Sequence, residues 1–167
     1  MEKNNPLFLA PFLVFVLIFS AFHYPTRIAF ADEVVATVST GSGPRGLVAL
    51  DTKIYVAIYD EGEVDIIDTA NGNSVSTVTV GEYPDFQIAI GSKIYTLNTG
   101  GSTVSVINTS NNSVSNVTVG SFPTSIVALG TKVYVASSDN NIPVIDTANN
   151  NSVSTVDSGL SSGILAV

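Results

Sequence analysis

The sequence of 167 residues contains no cysteine and a single histidine, His23. Without cysteine the chain has no disulfide, no thiolate metal site and no cysteine nucleophile. His23 lies within the first 31 residues, which have the pattern of a targeting signal. The chain after residue 31 therefore has no imidazole to serve as a general base or a metal ligand, although enzymes that use carboxylates, lysine or tyrosine are not excluded.

Basic residues are also scarce. After residue 31 there are 4 Lys and Arg against 13 Asp and Glu, so the net charge of this part is 4 − 13 = −9. An acidic domain is not attracted to nucleic acid or to an anionic membrane surface. We therefore expect neither as a partner.

The N-terminal segment has the order of a secretory signal peptide. Lys3 precedes an uncharged run over residues 7–22, and the small-x-small tripeptide Ala29-Phe30-Ala31 follows it. This pattern predicts a signal peptide over residues 1–31, cleavage before Asp32, and a secreted or cell-surface protein. The alternative is a retained membrane anchor at residues 7–22, because a spanning helix needs about 20 apolar residues.

The remaining chain, residues 32–167, is an internal repeat. Tyr55, Tyr95 and Tyr134 open similar segments at spacings of 40 and 39 residues. Each repeat contains four short runs rich in Val, Ile, Thr and Tyr, separated by Gly, Asn, Ser and Pro, which is strand and turn chemistry. The sequence thus predicts an all-β fold with complete repeats at about 46–80, 86–119 and 125–157, and partial repeats at 34–40 and 163–167.

The strands indicate a propeller, because runs such as Ile88-Ala89-Ile90 are apolar at adjacent positions and both faces of each sheet need cover. We expect an incomplete β-propeller arc of three four-stranded antiparallel blades with an extra strand at each end. A closed ring needs about four to eight blades. The chain is then interpreted as part of a larger or truncated propeller, with open sheet edges that permit self-association.

The stretch "YTLNTGGSTVSVINTSNNSVSNVTVGSFPTSIVAL" closely resembles the YVTN-type β-propeller repeat. Tyr95 and Asn98 keep the motif that names the family, whereas Thr96 and Leu97 depart from it. The resemblance implies a surface or secreted propeller whose signature residues are structural. We expect no catalytic residue and no cofactor. YVTN-type repeats are also similar to the propellers of quinoprotein dehydrogenases and lactonases, so an enzyme or electron-transfer protein is the alternative.

An acidic stretch follows Tyr55 and contains Asp60, Glu61 and Glu63, with Asp65 two residues on. Alignment of the repeats places it in the turn between the second and third strands, where Gly62 would supply a positive φ. We interpret it as a solvated turn. Because hard cations take carboxylate oxygens, a calcium site or a contact to a basic partner is the alternative.

Loops that precede the first strand of each blade lie on the same side as the acidic turns and differ between blades. Variable loops on a rigid scaffold suit a binding face for a protein or carbohydrate partner. The predicted binding-face residues are Arg45, Asp60, Glu61, Glu63, Tyr83, Asp85, Phe122 and Asp139.

Two further sets of polar residues recur along the chain. Asp68, Asn108 and Asp146 end the third strands, where a short side-chain acceptor can bond a backbone N–H two residues on, so we predict turn formers. Four sequons offer N-glycosylation sites, at Asn108, Asn111, Asn116 and Asn150. The sequence as a whole predicts an exported, non-catalytic binding module.

Overall fold

The structure is a computed structural model that describes residues 36–139 and 141–157. The predicted signal peptide, its alternative as an anchor and the partial repeat at 163–167 lie outside these residues. From Val38 onward the described chain belongs to one compact unit. Within the described ranges the structure contains strands and turns, and no helix long and apolar enough to cross a membrane.

Twelve strands form three antiparallel sheets of four strands each, and neighbours in every sheet are consecutive in sequence. This confirms the predicted all-β class and the unclosed arc of four-stranded blades. Blade 1 contains β1 (Pro44–Leu50), β2 (Lys53–Ile58), β3 (Glu63–Asp68) and β4 (Ser74–Thr79). Blade 2 contains β5 (Pro84–Ile90), β6 (Lys93–Asn98), β7 (Thr103–Asn108) and β8 (Val114–Thr118). Blade 3 contains β9 (Ser125–Leu129), β10 (Lys132–Ala136), β11 (Asn141–Asp146) and β12 (Ser152–Asp157).

The first strands of the blades lie side by side, because β5 contacts both β1 and β9. They are the inner strands of the arc. We call the surface of a blade that faces the following blade its trailing face, and the opposite surface its leading face. Strand alternation sends successive side chains to these two faces.

The core lies between blades. Tyr55 and Ile66 on the trailing face of blade 1 are buried against Ile94 and Ile107 on the leading face of blade 2. The next interface repeats this chemistry one blade further on, with Tyr95, Leu97, Val104 and Val106 against Ile126, Val133, Val135 and Ile145. Full burial of one such aliphatic side chain contributes about 1.5–3 kcal/mol. Both faces of blade 2 are therefore held by its neighbours.

Tyr95 also makes a polar contact across its interface. Its Oη donates to Asn151 Oδ1 of blade 3 over 2.8 Å. Burial raises the pKa of the Tyr95 hydroxyl, so the group stays protonated and keeps its donor hydrogen at ordinary pH. The bond ties the centre of blade 2 to the turn between β11 and β12.

The predicted turn formers act as expected. Asp68, Asn108 and Asp146 each accept from the backbone N–H two residues on, over 3.1, 3.0 and 3.1 Å. Asp146 also accepts from Lys132 Nζ over 2.5 Å, and this hydrogen bond lowers the pKa of its carboxyl. These side chains shape the blade and do not line a site.

Blade 3 is the least regular blade, as Pro143 in its third strand predicts. Strands β10 and β11 share three paired positions, whereas β2 with β3 and β6 with β7 share six each. Proline lacks the N–H that a central ladder needs. The pairing of β10 with β11 runs from Lys132 and Asp146 to Tyr134 and Val144, and it does not extend to Pro143, the residue next to Val144.

The predicted leading outer strand at 34–40 is not a strand over the part that the structure describes. Residues 36–40 have no strand conformation, and they belong to none of the three sheets, so no neighbouring strand offers a ladder there. Val38 instead packs on the leading face of blade 1, against Val56, Ile58 and Ile67. Val38 thus covers part of this sheet face.

The Tyr95 hydroxyl provides a test of the interface between blades 2 and 3. Tyr95→Phe keeps the buried ring and removes the bond to Asn151, so we expect the free energy of unfolding to fall by about 0.5–1.5 kcal/mol. Urea denaturation measures it. Tyr134→Phe is the matched control, because Tyr134 holds the same position in blade 3. Equal losses in the two variants would contradict a specific role for the bond.

Candidate functional site: the loop face

One edge of the arc carries the loops between second and third strands together with the loops that enter each blade. We call this edge the loop face. The acidic turn of blade 1 lies there, and Gly62 has the expected positive φ of 68°. Ser42 N donates to Glu61 Oε1 over 2.8 Å, and Ser42 Oγ donates to Asp60 Oδ2 over 3.2 Å. Both carboxylates therefore hold the loop that enters blade 1, a role that the solvated-turn interpretation did not contain.

Asp65 has a related role inside the blade. Its side chain is 4% exposed, and its two oxygens accept from Gly41 N over 2.9 Å and from Thr77 Oγ1 over 2.7 Å. A buried carboxylate is stable when its oxygens are satisfied by donors. Asp65 thus links the entering loop, the third strand and the outer strand of blade 1.

In blade 2, neutral side chains provide the acceptor for the N–H of the entering loop. Gly81 N donates to Ser105 Oγ over 3.2 Å, and Ser105 Oγ donates to Asn116 Oδ1 over 2.8 Å. The buried amide of Asn98 donates to Ser105 Oγ over 2.9 Å and to Thr103 Oγ1 over 2.9 Å. Gly81, Ser105 and Asn116 align with Gly41, Asp65 and Thr77 of blade 1.

An aromatic and cationic stack bridges blades 1 and 2. The Arg45 Cζ lies 3.7 Å from the centroid of the Tyr59 ring, and the Tyr83 ring stacks on Tyr59 with centroids 4.9 Å apart. Arg45 Nη1 also lies 3.6 Å from Asp85 Oδ2. An exposed ion pair and an exposed cation–π contact each contribute about 1 kcal/mol or less.

A cleft of about 290 Å³ opens beside this stack. Two tyrosines and three carboxylates line it, together with Gly62: Tyr59, Asp60, Glu61, Glu82 and Tyr83. The sequence prediction named Asp60, Glu61 and Tyr83 but missed Tyr59 and Glu82. Both residues could have been found in the sequence, because each departs from the repeat. Tyr59 aligns with Thr99 and Ser138. Glu82 aligns with Ser42 and Ser121.

The residue before the first proline of each blade has a left-handed backbone. Gly43, Tyr83 and Phe122 have φ values of 70°, 52° and 48°. Glycine adopts this conformation without strain, whereas a bulky side chain there is an outlier that costs about 1–3 kcal/mol. Tyr83 is 48% exposed and Phe122 is 66% exposed. Two blades thus hold an exposed aromatic side chain where glycine is the unstrained choice.

The other predicted residues are dispersed. Glu63 begins β3 and is half-buried, and Asp139 accepts from Ser121 N over 3.0 Å, as Glu61 does from Ser42. Among residues 36–139 and 141–157 no group of three or more Asp, Glu, His or Cys could hold a metal ion. The weak calcium candidate formed by Asp60, Glu61 and Glu63 is therefore not assembled there.

The predicted sequons lie at the turns that follow the third strands and, for Asn116, within the outer strand β8. Asn111, Asn116 and Asn150 are exposed, and Asn108 is half-buried. The Oδ1 atoms of Asn108, Asn111 and Asn116 accept hydrogen bonds from Ser110, Ser113 and Ser105. Glycosylation would modify the Nδ2 atom and leave these acceptors in place.

No protein-family model matches the sequence, and no curated protein matches it. Solved structures match its fold. A computationally designed protein, Ika4, is 16% identical with a TM-score of 0.67, over 79% of this chain and 82% of its own. BamB from Moraxella catarrhalis is 17% identical with a TM-score of 0.53, over 66% of this chain and 33% of its own.

Hydrazine synthase from Kuenenia stuttgartiensis is 24% identical with a TM-score of 0.58, over 71% of this chain and 37% of its own. This chain thus spans about a third of the length of the two natural proteins. At these identities the likeness shows the fold alone. It assigns the three blades to the propeller type.

Replacement of Asp65 tests its structural role. Asp65→Ala leaves Gly41 N and Thr77 Oγ1 without their acceptor in a buried place, so we expect a loss of about 1–3 kcal/mol in the free energy of unfolding. Glu63→Ala, two residues earlier on the same strand, is the control and should change it by less than about 0.5 kcal/mol. Urea midpoints that coincide for the two variants would contradict the assignment.

Proposed function

We propose that this protein is an exported, non-catalytic β-propeller of the YVTN type that binds a partner through its loop face. The propeller fold supports a scaffold role, because rigid blades present loops that are free to vary. The order of charge, apolar run and Ala29-Phe30-Ala31 supports export with cleavage before Asp32. The acidic composition favours a protein or carbohydrate partner and disfavours nucleic acid.

The observation that carries this proposal is the pair of strained, exposed aromatic residues. Tyr83 and Phe122 hold left-handed backbones at a position where Gly43 serves blade 1. Strain of this kind persists where the surrounding structure enforces it, and it concentrates at ligand clamps and other functional positions. Aromatic side chains are also the common anchors of binding surfaces, since they bury a large area on contact. At Phe122 the backbone conformation alone would favour glycine.

The absence of catalysis is part of the proposal. After residue 31 the sequence contains no histidine and no cysteine, so the usual general base and thiol nucleophile are missing. The rival is a propeller enzyme or electron-transfer protein similar to quinoprotein dehydrogenases or lactonases. A metal or quinone that copurifies with the full chain in stoichiometric amount would favour the rival.

Export has a direct test. Expression of the full chain with its native N-terminus, followed by N-terminal sequencing of protein recovered outside the cytoplasm, should give Asp32 as the first residue. Ala29→Arg and Ala31→Arg, which remove the small residues of the cleavage site, should leave the precursor uncut. An N-terminus that retains residues 7–22 would support the membrane-anchor alternative.

The variant Phe122→Gly distinguishes an effect on partner binding from an effect on the free energy of unfolding. Glycine relieves the left-handed strain but gains freedom in the unfolded chain, so we expect the free energy of unfolding to stay within about 1 kcal/mol of the parent. Binding to the partner should weaken because the exposed ring is lost. Arrays of immobilised glycans and of peptides, probed with the parent, Phe122→Gly and Tyr83→Gly, measure it.

Val75→Ala is the control, because Val75 is an exposed apolar residue on β4. It should keep every ligand that the parent binds. If both aromatic variants also keep them all, the loop face is not the binding surface.

A further inference from the structure

The turn between β3 and β4 of blade 1 contains the one Asn-Gly pair of the sequence, Asn71-Gly72. Two backbone hydrogen bonds form this turn, from Asn71 N to Asp68 O over 3.1 Å and from Ser74 N to Asn71 O over 3.1 Å. Gly72 and Asn73 have positive φ values of 61° and 60°, as the two central residues of a type I′ turn do. The Asn-Gly pair thus belongs to the tight turn that closes this hairpin.

Blade 3 contains the same turn with a different residue in the second position. Asn149 N donates to Asp146 O over 3.2 Å, and Ser152 N donates to Asn149 O over 2.9 Å. Asn150 and Asn151 have φ values of 50° and 56°. The turn sequences are TANGNS in blade 1 and TANNNS in blade 3. The two turns therefore share their hydrogen bonds and backbone conformation, and they differ only in the residue that follows the first asparagine.

The peptide nitrogen of Gly72 is accessible. Asn71 and Gly72 are both exposed, and Gly72 N donates no hydrogen bond to any of the residues that the structure describes. Apart from its two chain neighbours, no heavy atom lies within 4 Å of the place that a Cβ on Gly72 would take. Because glycine has no side chain, the amide carbon of Asn71 can approach this nitrogen closely. In blade 3 the side chain of Asn150 stands beside the equivalent nitrogen.

We propose that Asn71 is a site of spontaneous deamidation through a succinimide. Gly72 N gives up its proton and attacks Asn71 Cγ, so a bond forms between this nitrogen and Cγ. The bond between Cγ and Nδ2 breaks, and ammonia leaves with the proton. Water then opens one of the two carbonyl carbon–nitrogen bonds of the ring. The product is an aspartate, or an isoaspartate whose main chain runs through the former side chain. The reaction consumes water and needs no enzyme, metal or oxidant.

The two products affect blade 1 differently. Aspartate keeps the shape of asparagine, and its carboxylate accepts from the Ser74 hydroxyl, whose oxygen lies 3.1 Å from Asn71 Nδ2. Isoaspartate adds a methylene to the main chain, and the carbonyl that accepts from Ser74 N becomes part of a side-chain carboxylate. Ser74 is the first residue of β4 and pairs with Asp68. We expect the isoaspartate form to lose this pairing at the end of the outer strand.

Incubation of the purified full chain at mildly alkaline pH tests the site without any variant. Trypsin separates Asn71, in the peptide 54–93, from Asn149, in the peptide 133–167. Mass spectrometry of timed samples, corrected by a digest at time zero, should show Asn71 converting faster than Asn149 by roughly tenfold or more. Methylation by an isoaspartyl methyltransferase distinguishes isoaspartate from aspartate. Equal rates at the two asparagines would overturn the proposal.

Two exchanges between the matched turns test whether Gly72 is the cause. Gly72→Asn gives blade 1 the turn sequence of blade 3 and should slow the conversion of Asn71 to the rate of Asn149. It should keep the fold, because Asn150 holds the same position with a φ of 50° and asparagine tolerates this conformation. Asn150→Gly makes the reverse change and should accelerate the conversion of Asn149 by a similar factor, and it decides the question if Gly72→Asn does not fold. An unchanged rate in a folded variant would overturn the proposal.

Hydrogen exchange measures the consequence for β4. In the isoaspartate fraction of an aged sample, the Ser74 amide should exchange several-fold faster than in the fresh chain, because its acceptor is displaced. Asn71→Asp, which reproduces the other product, should exchange as the fresh chain does. Protection of Ser74 that is unchanged in the isoaspartate fraction would contradict the predicted loss of pairing. None of these measurements uses a partner of the loop face, so their outcomes are independent of the proposed function.

Discussion

The structure depends on one constraint. Each blade has two apolar faces, so no single blade is stable by itself in water. Blade 2 meets this constraint through both of its neighbours. Its leading face packs Ile94 and Ile107 under Tyr55, and its trailing face packs Tyr95 and Leu97 against blade 3. Gln87 adds a polar link, because with its amide turned to match donor to acceptor it donates to Tyr55 O and accepts from Ala57 N, each over 3.1 Å. Burial between sheets therefore sets the order of the blades and leaves their loops on a common edge.

The loops bring a second requirement, because the backbone N–H groups of each entering loop need acceptors. Blade 1 supplies carboxylates from Asp65 and Glu61, and blade 2 supplies the Ser105 hydroxyl. In blade 3, Ser121 N donates to Asp139 Oδ2. Charged loop residues thus have a structural role before any ligand is considered. At Pro143 the repeat omits such a group, and the blade still forms its four strands.

Several features of the fold follow from residue patterns alone. Strands β6 and β7 coincide with runs of Val, Ile, Thr and Tyr that end at Gly and Asn turns. Asp68 and its repeats were recognised as turn formers since the contact spans two residues. The role of Glu61 was missed because its partner, Ser42, lies 19 residues earlier in the chain. Tyr59 was missed for the same reason, since it meets Arg45 and Tyr83 only across a blade boundary.

By itself the sequence determined the repeat, the four strands of each blade, the turn chemistry and the acidic balance, because each depends on neighbours within one repeat. Only the tertiary structure decided which loop residues meet. The Tyr59 and Tyr83 stack and the hydrogen bond from Tyr95 to Asn151 each combine side chains from two blades. Their positions follow from the packing angle between sheets and from backbone values such as the left-handed φ of Phe122. Neither quantity is encoded in a local pattern, because both result from how one buried face fits against the next.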